Sequence, residues 1–292
     1  MTSFGTANGT IIRNTCRCDD GDMRANQIMN TLGIAARVLK GVVMGGNLAS
    51  LRLVARPRTQ VEYISECLLL GDSLRARTKG VQHKHVHEVL GSQPAESIVL
   101  GNLAAGAEHW LWGSYALDIV SLCMICRLVR PRLVFEIGTL RGYTAYHFAL
   151  NTADDAQILT LDLPKDATRA RPLQTTVLDD AYVERHRRVA RYDFEDTPVA
   201  TKVTRLVGDS ATFDYSPYHA RVDLFFIDGA HAYEYVASDT RHALACCRPG
   251  SIIAWHDFGR VGVEGVTRCV QEMARQREVF VVPGGSVAFM RV

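Results

Sequence analysis

From residue 132 onward, short apolar runs alternate with segments of helical periodicity. The runs lie at 132–138, 157–163, 202–208, 222–229, 251–257, 278–282 and 286–292. Helical spacing between them is clearest in 233–247 and 263–277. Strand-length runs separated by helices imply βαβ crossovers, and a series of them implies a parallel, doubly wound sheet. The last two runs are different, because only Pro283, Gly284 and Gly285 separate them. Three residues cannot carry a parallel crossover, so these runs must form an antiparallel hairpin. The expectation is an α/β fold: a seven-stranded, mostly parallel sheet over 131–292 that ends in an antiparallel C-terminal hairpin.

Before residue 130 the pattern is helical. Ile28, Leu32, Ala35, Leu39 and Val42 recur at helical spacing, with Gly45 and Gly46 as a stop. Thr59 and Glu62 fit a capping box ahead of Ile64, Leu68 and Leu69. Residues 105–130 predict a long helix that ends before Pro131. The chain therefore divides into a helical cap or oligomerisation region, 1–130, and a sheet domain, 131–292. The 292 residues are 47% hydrophobic and 22% charged, which excludes a disordered or fibrous chain. A net charge of +2 gives no argument for nucleic acid. Arg24, Arg37, Lys40, Arg52, Arg56 and Arg58 fall in a stretch without acids; the default reading is a solvated face, the alternative an anionic partner or membrane surface. Acidic and basic residues interrupt 1–25, unlike a signal peptide, and no run is long enough to span a membrane. The eight cysteines are scattered or adjacent rather than framed as disulfides, so the expected location is the reducing cytoplasm.

The chemistry gathers where the runs end. Glu136, Gly138, Gly142 and Thr144 follow the first run and open a helix, so backbone and unpaired N–H groups can approach a ligand. The spacing is not the G-x-G-x-x-G fingerprint of dinucleotide binding. Asp162 closes the second run, where a carboxylate can accept both hydroxyls of a ribose. Gly208, Asp209 and Ser210 close the third, where a carboxylate can reach an exocyclic amine. Asp228 closes the fourth. All of these lie at the carboxyl edge of the sheet, where open α/β folds bind ligands.

In these motifs the sequence resembles the class I S-adenosylmethionine-dependent methyltransferases, over residues 132–292. The resemblance implies that Glu136, Gly138 and Thr139 border the methionine moiety, that Asp162 holds the ribose, and that Asp209 and Ser210 face the adenine. Gly142, Thr144 and Asp228 complete the expected cofactor set. The first motif is most similar to the catechol-type O-methyltransferases. That group carries an Asp after the fourth strand, a Lys base three residues later, and an Asp-Asn pair after the fifth that holds magnesium. This chain has Asp228, then His231 in the lysine's place and His256-Asp257 in the pair's place. The expected general base is thus His231, with His256 and Asp257 orienting the acceptor or, with Asp228, a metal. A histidine suits proton transfer near neutral pH but is an uncharacteristic magnesium ligand, which leaves magnesium, manganese, zinc or no ion open.

The resulting expectation is methyl transfer from S-adenosylmethionine to a hydroxyl of a small molecule, a sugar or a secondary-metabolite scaffold. The alternatives are N-methylation, a cyclisation, or a non-catalytic scaffold. A homo-oligomer built through the N-terminal region is expected. Other features have bland readings. Trp255, Cys123 and Cys126 read as core, and His83, His85 and His87 as a solvated strand or loop. Cys16 and Cys18 make a poor partner for Cys123 and Cys126 in a zinc site. Trp110 and Trp112 read as packing or acceptor lining, Tyr233 as a helix turn or pocket border. The basic stretch 184–188 reads as a solvated face or as part of a lid in the long segment between the second and third runs.

Overall fold

The computed structural model describes residues 80–91, 97–102, 115–167, 171–260 and 262–292. The N-terminal helices expected around residues 28–42 and 59–69, the basic residues from Arg24 to Arg58, Cys16, Cys18, Trp110 and Trp112 lie outside them. Eight strands form one sheet: β1 (Gln82–His83), β2 (Leu133–Ile137), β3 (Gln157–Asp162), β4 (Val203–Val207), β5 (Val222–Ile227), β6 (Cys247–Trp255), β7 (Phe280–Val281) and β8 (Ala288–Arg291). Their order is β1-β7-β8-β6-β5-β2-β3-β4. The pairings among β2–β6 are parallel, while β8 runs antiparallel to both β6 and β7. The expected hairpin is present.

All seven strands expected over 131–292 are present, and among the described residues an eighth, β1, joins the sheet from outside that range. Gln82 and His83 pair with Phe280 and Val281. Two exposed polar residues carry no apolar run, so periodicity could not mark this strand. His83 lies in it, and His85 and His87 follow at the short helix α1 (Val86–Leu90).

Strand alternation sorts side chains onto the two faces. Phe225 and Ile227 join Phe135, Ile253 and Trp255 in one core beneath α5 (Tyr233–Cys246) and α6 (Glu264–Ala274). Leu224 and Phe226 join Val134, Ile158 and Ile252 in another, beneath α2 (Tyr115–Val129) and α3 (Tyr143–Leu150). Cys123 and Cys126 sit on the buried side of α2 and Trp255 is fully buried, so all three are core. The segment between β3 and β4 carries α4 (Val177–Arg187), whose N-terminus is closed by a reciprocal Thr176–Asp179 capping box. Among the described residues no helix is long and apolar enough to cross a membrane.

One packing contact bears directly on the site. A Cβ on Gly265 of α6 would overlap the His231 carbonyl oxygen and the Tyr233 amide nitrogen. Backbone cannot yield as a flexible side chain can, so Gly265→Ala is expected to cost about 1–3 kcal/mol through displacement of α6. Urea denaturation checks this; a midpoint equal to wild type would mean that α6 does not pack there.

Candidate active site

The strand order reverses between β2 and β5, since β2 leads on to β3 on one side and β5 to β6 on the other. Such a switch point opens a crevice at the carboxyl ends of the strands. A cavity of about 180 Å³ lies there, lined by the loops after β2, β3, β4, β5 and β6 and by α4. Gly138 ends β2 at φ +100°, and a Cβ there would fall on the Asp228 carbonyl oxygen. Only glycine lets the two loops close so tightly.

Gly138, Thr139, Thr144, Asp162, Asp209, Ser210, Asp228, His231, His256 and Asp257 all line the cavity, as the sequence motifs require. Glu136 and Gly142 are not among its lining. Glu136 turns beneath the loop, 1% exposed, and accepts a 2.5 Å hydrogen bond from Thr160. Thr160 in turn lies 2.6 Å from the Thr139 hydroxyl. Burial pushes the Glu136 carboxyl well above its ordinary pKa, and it bears on the cavity only through Thr160 and Thr139. Gly142 supplies the left-handed turn, φ +77°, into α3, where a Cβ would strike the Phe194 ring.

Asp162 accepts hydrogen bonds from the Leu140 and Leu163 amides, both at 2.7 Å. A carboxylate has about four lone-pair sites, so the two amides leave it acceptor capacity for a ligand. Burial raises its pKa, opposed by His186, which lies 3.4 Å away on α4. Asp209 accepts from the Ala211 amide at 3.0 Å and from the Tyr235 hydroxyl at 2.8 Å. Tyr235, rather than Tyr233, borders the cavity; the Tyr233 hydroxyl donates to Glu272 on α6.

At the other end, carboxylates and cations alternate. His231 Nδ1 lies 2.6 Å from Asp179 of α4, and Nε2 lies 3.0 Å from Asp257. The His231 amide also donates to Asp179, at 2.8 Å. Burial would depress the imidazole, but hydrogen bonds to Asp179 and Asp257 outweigh it and lift its pKa to about 10. Asp179 shifts downward: burial opposes the change, and the pairing with His231 overrides it. His256 Nδ1 lies 3.2 Å from both Asp228 and Asp257, and Nε2 lies 3.2 Å from Asp118 of α2. Its pKa rises well above the ordinary value despite burial, because of the charges of Asp228 and Asp257. Arg260 bridges Asp257, at 3.0 Å, and Asp118, at 3.1 Å.

Four contributors escaped the sequence reading: Asp118, Asp179, His186 and Arg260. Asp118 had a signal, as a lone acid in the otherwise apolar early part of the 115–129 helix. Asp179 had one too, three residues after Thr176 in a capping box. His186 lies inside the basic stretch and Arg260 three residues past Asp257; neither carries a distinguishing pattern.

Asp228, His231 and Asp257 offer ligand atoms within 4.8 Å of one another, the arrangement a divalent ion would need. The donors are committed elsewhere. Asp257 faces His231, His256 and Arg260, and Asp228 faces His256. Asp257 Oδ1 is buried and accepts no hydrogen bond, but it lies against the His256 and Arg260 cations, and carboxylates paired with the chain's own cations do not fit a resident ion.

Residues 135–258 match the family model described as a methyltransferase domain. That segment of the chain is thus similar to a methyltransferase domain, and it contains most of the strand ends that line the crevice. Similar solved structures include the O-methyltransferase TomG from Streptomyces achromogenes, involved in tomaymycin synthesis and in complex with SAM. It is 20% identical, with 66% of this chain and 89% of that chain covered and a TM-score of 0.43. An O-methyltransferase from Bacillus cereus in complex with SAH is 19% identical over 64% and 84%, with a TM-score of 0.42. A methyltransferase from Geobacter sulfurreducens is 18% identical over 69% and 92%, with a TM-score of 0.44. No curated protein matches the chain.

Proposed function

We propose that the protein transfers a methyl group from S-adenosylmethionine to a hydroxyl of a small molecule, a sugar or a secondary-metabolite scaffold, in the cytoplasm. The observation that carries this reading is the gathering of Gly138, Asp162, Asp209 and the Asp228–His231–Asp257 group around one cavity at the switch point. In it, Asp162 receives the ribose hydroxyls, Asp209 and Ser210 receive the adenine, and Gly138 and Thr139 border the methionine portion. The sulfonium is already activated, so the residues chiefly align the acceptor oxygen in line with the methyl carbon.

The acceptor proton then needs a destination within hydrogen-bond reach. In the closed arrangement His231 is an imidazolium between two carboxylates, so it can act as a base only after Asp179 and α4 withdraw. Asp228, which lines the cavity and is partly exposed, is the carboxylate that takes the proton while Asp179 stays on His231. Residues 1–130 act as a cap, a dimer interface, or both.

Incubation with methyl-labelled donor and a panel of sugars, phenols and amines tests the reading by mass spectrometry. The expected product gains a methyl on oxygen. Methylation confined to amines would overturn it. With an acceptor in hand, Asp228→Asn is expected to lower turnover by about 10²-fold or more, with S-adenosylhomocysteine still bound. Full turnover in that variant would remove Asp228 from the proton path.

A further inference from the structure

We propose that the acceptor end of the cavity works without a resident divalent ion, its carboxylates held by a cationic pair, His256 and Arg260, that Asp118 anchors from α2. That this end receives the acceptor rests on the methyltransferase reading; the pairing itself does not.

Asp118 is 1% exposed, and its oxygens meet three groups from distant parts of the chain. One oxygen accepts from the Ser286 amide at 2.7 Å. The other accepts from the Ser286 hydroxyl at 2.8 Å and from Arg260 Nη2 at 3.1 Å, and lies 3.2 Å from His256 Nε2. A buried anion is tolerated only when it is paired and hydrogen-bonded, and Asp118 has both. The hold works in both directions. It fixes the imidazole and the guanidinium against the two carboxylates a divalent ion would require.

Arg260 keeps its charge at any ordinary pH, so the competition does not depend on the state of a histidine. Its Nε lies 3.0 Å from Asp257 Oδ1, while His231 lies 3.0 Å from Asp257 Oδ2. Asp228 Oδ1 lies 3.2 Å from His256. An entering ion would have to displace the fixed guanidinium and the His256 imidazole and take the place of the proton between His231 and Asp257, and magnesium in particular demands a near-octahedral shell of oxygens. Arg260 also lines the cavity, which makes it the fixed positive charge that a developing acceptor oxyanion would meet. Asp118 is then a positioning residue for that charge, supplied by a helix N-terminal to the matched family segment.

Manganese titration, followed by electron paramagnetic resonance and by calorimetry with and without S-adenosylhomocysteine, tests this on the full chain. Wild type is expected to bind no manganese more tightly than about millimolar. Arg260→Gln, which frees Asp257 and Asp118, is expected to bind at least about tenfold more tightly, and Arg260→Lys to stay at the wild-type level. One manganese per wild-type chain at micromolar affinity, lost in Asp228→Asn, overturns the proposal. A folded Arg260→Gln protein with no gain over wild type overturns it as well; if that variant fails to fold, the wild-type titration decides. S-adenosylhomocysteine binding in the same samples separates the two readings. Its absence sinks the methyltransferase assignment and leaves the manganese result intact.

Discussion

Gly138→Ala is expected to unfold or nearly unfold the sheet edge, at a cost of about 3–5 kcal/mol, and to abolish binding of S-adenosylhomocysteine. Two independent penalties combine at this residue. Its φ of +100° lies where an L side chain is strained, and its Cβ would fall on the Asp228 carbonyl oxygen. The neighbouring Asp228 amide is already committed to the Ile137 carbonyl at 2.9 Å, so the β5 loop has no easy retreat. Relief requires β2 and β5 to part at the switch point, which is the cavity floor. Thermal denaturation and calorimetry on the variant check both effects. A soluble variant with wild-type melting and binding would mean that the two loops do not meet as described.

The second large effect lies at His231. Replacing it with Asn leaves Asp179 and Asp257 facing each other without the cation that joins them, at a cost of about 3–5 kcal/mol. Wild type should also show the pairing in its pH dependence. The folded pKa, about 10, exceeds the unfolded reference of 6.5, so the stabilisation is fully present below pH 6.5. It fades as pH rises and is lost through pH 10. The upper bound of that loss is roughly 4–5 kcal/mol, from the difference between the two values. Asp179 works in the opposite window: its lowered pKa gives stability present above the ordinary carboxylate range and lost on acidification. Urea midpoints at neutral pH and near pH 10 should therefore converge between wild type and His231→Asn. Parallel midpoints across that range would show that His231 is not held as an imidazolium.

The sheet domain was legible because its signals are local. Apolar runs such as 222–227 are buried along their whole length, and Pro283 to Gly285 leave no alternative to a hairpin. At Gln82 and His83 the sequence left strand and loop open for the opposite reason, since two exposed residues become a strand only by docking on β7. The ends of the strands marked most of the cavity lining, because the topology places every βα loop at one edge. Glu136 shows the limit of that reasoning. A motif fixes where a backbone position falls, but here burial against Thr160 turned the side chain away from the cavity. Asp118, Asp179 and Arg260 were missed because their importance arises from tertiary pairing over long sequence separations. His231 was found by its place in the motif, yet its two carboxylate partners, which decide its protonation, lie 52 and 26 residues away.

Calorimetric titration with S-adenosylhomocysteine tests the central assignment most directly, because it needs no knowledge of the acceptor. Wild type is expected to bind one equivalent at micromolar affinity. Asp162→Ala is expected to weaken binding at least about tenfold, through loss of charged hydrogen bonds to the ribose. Failure of the wild-type protein to bind the ligand, or binding unaffected by loss of Asp162, would contradict the account.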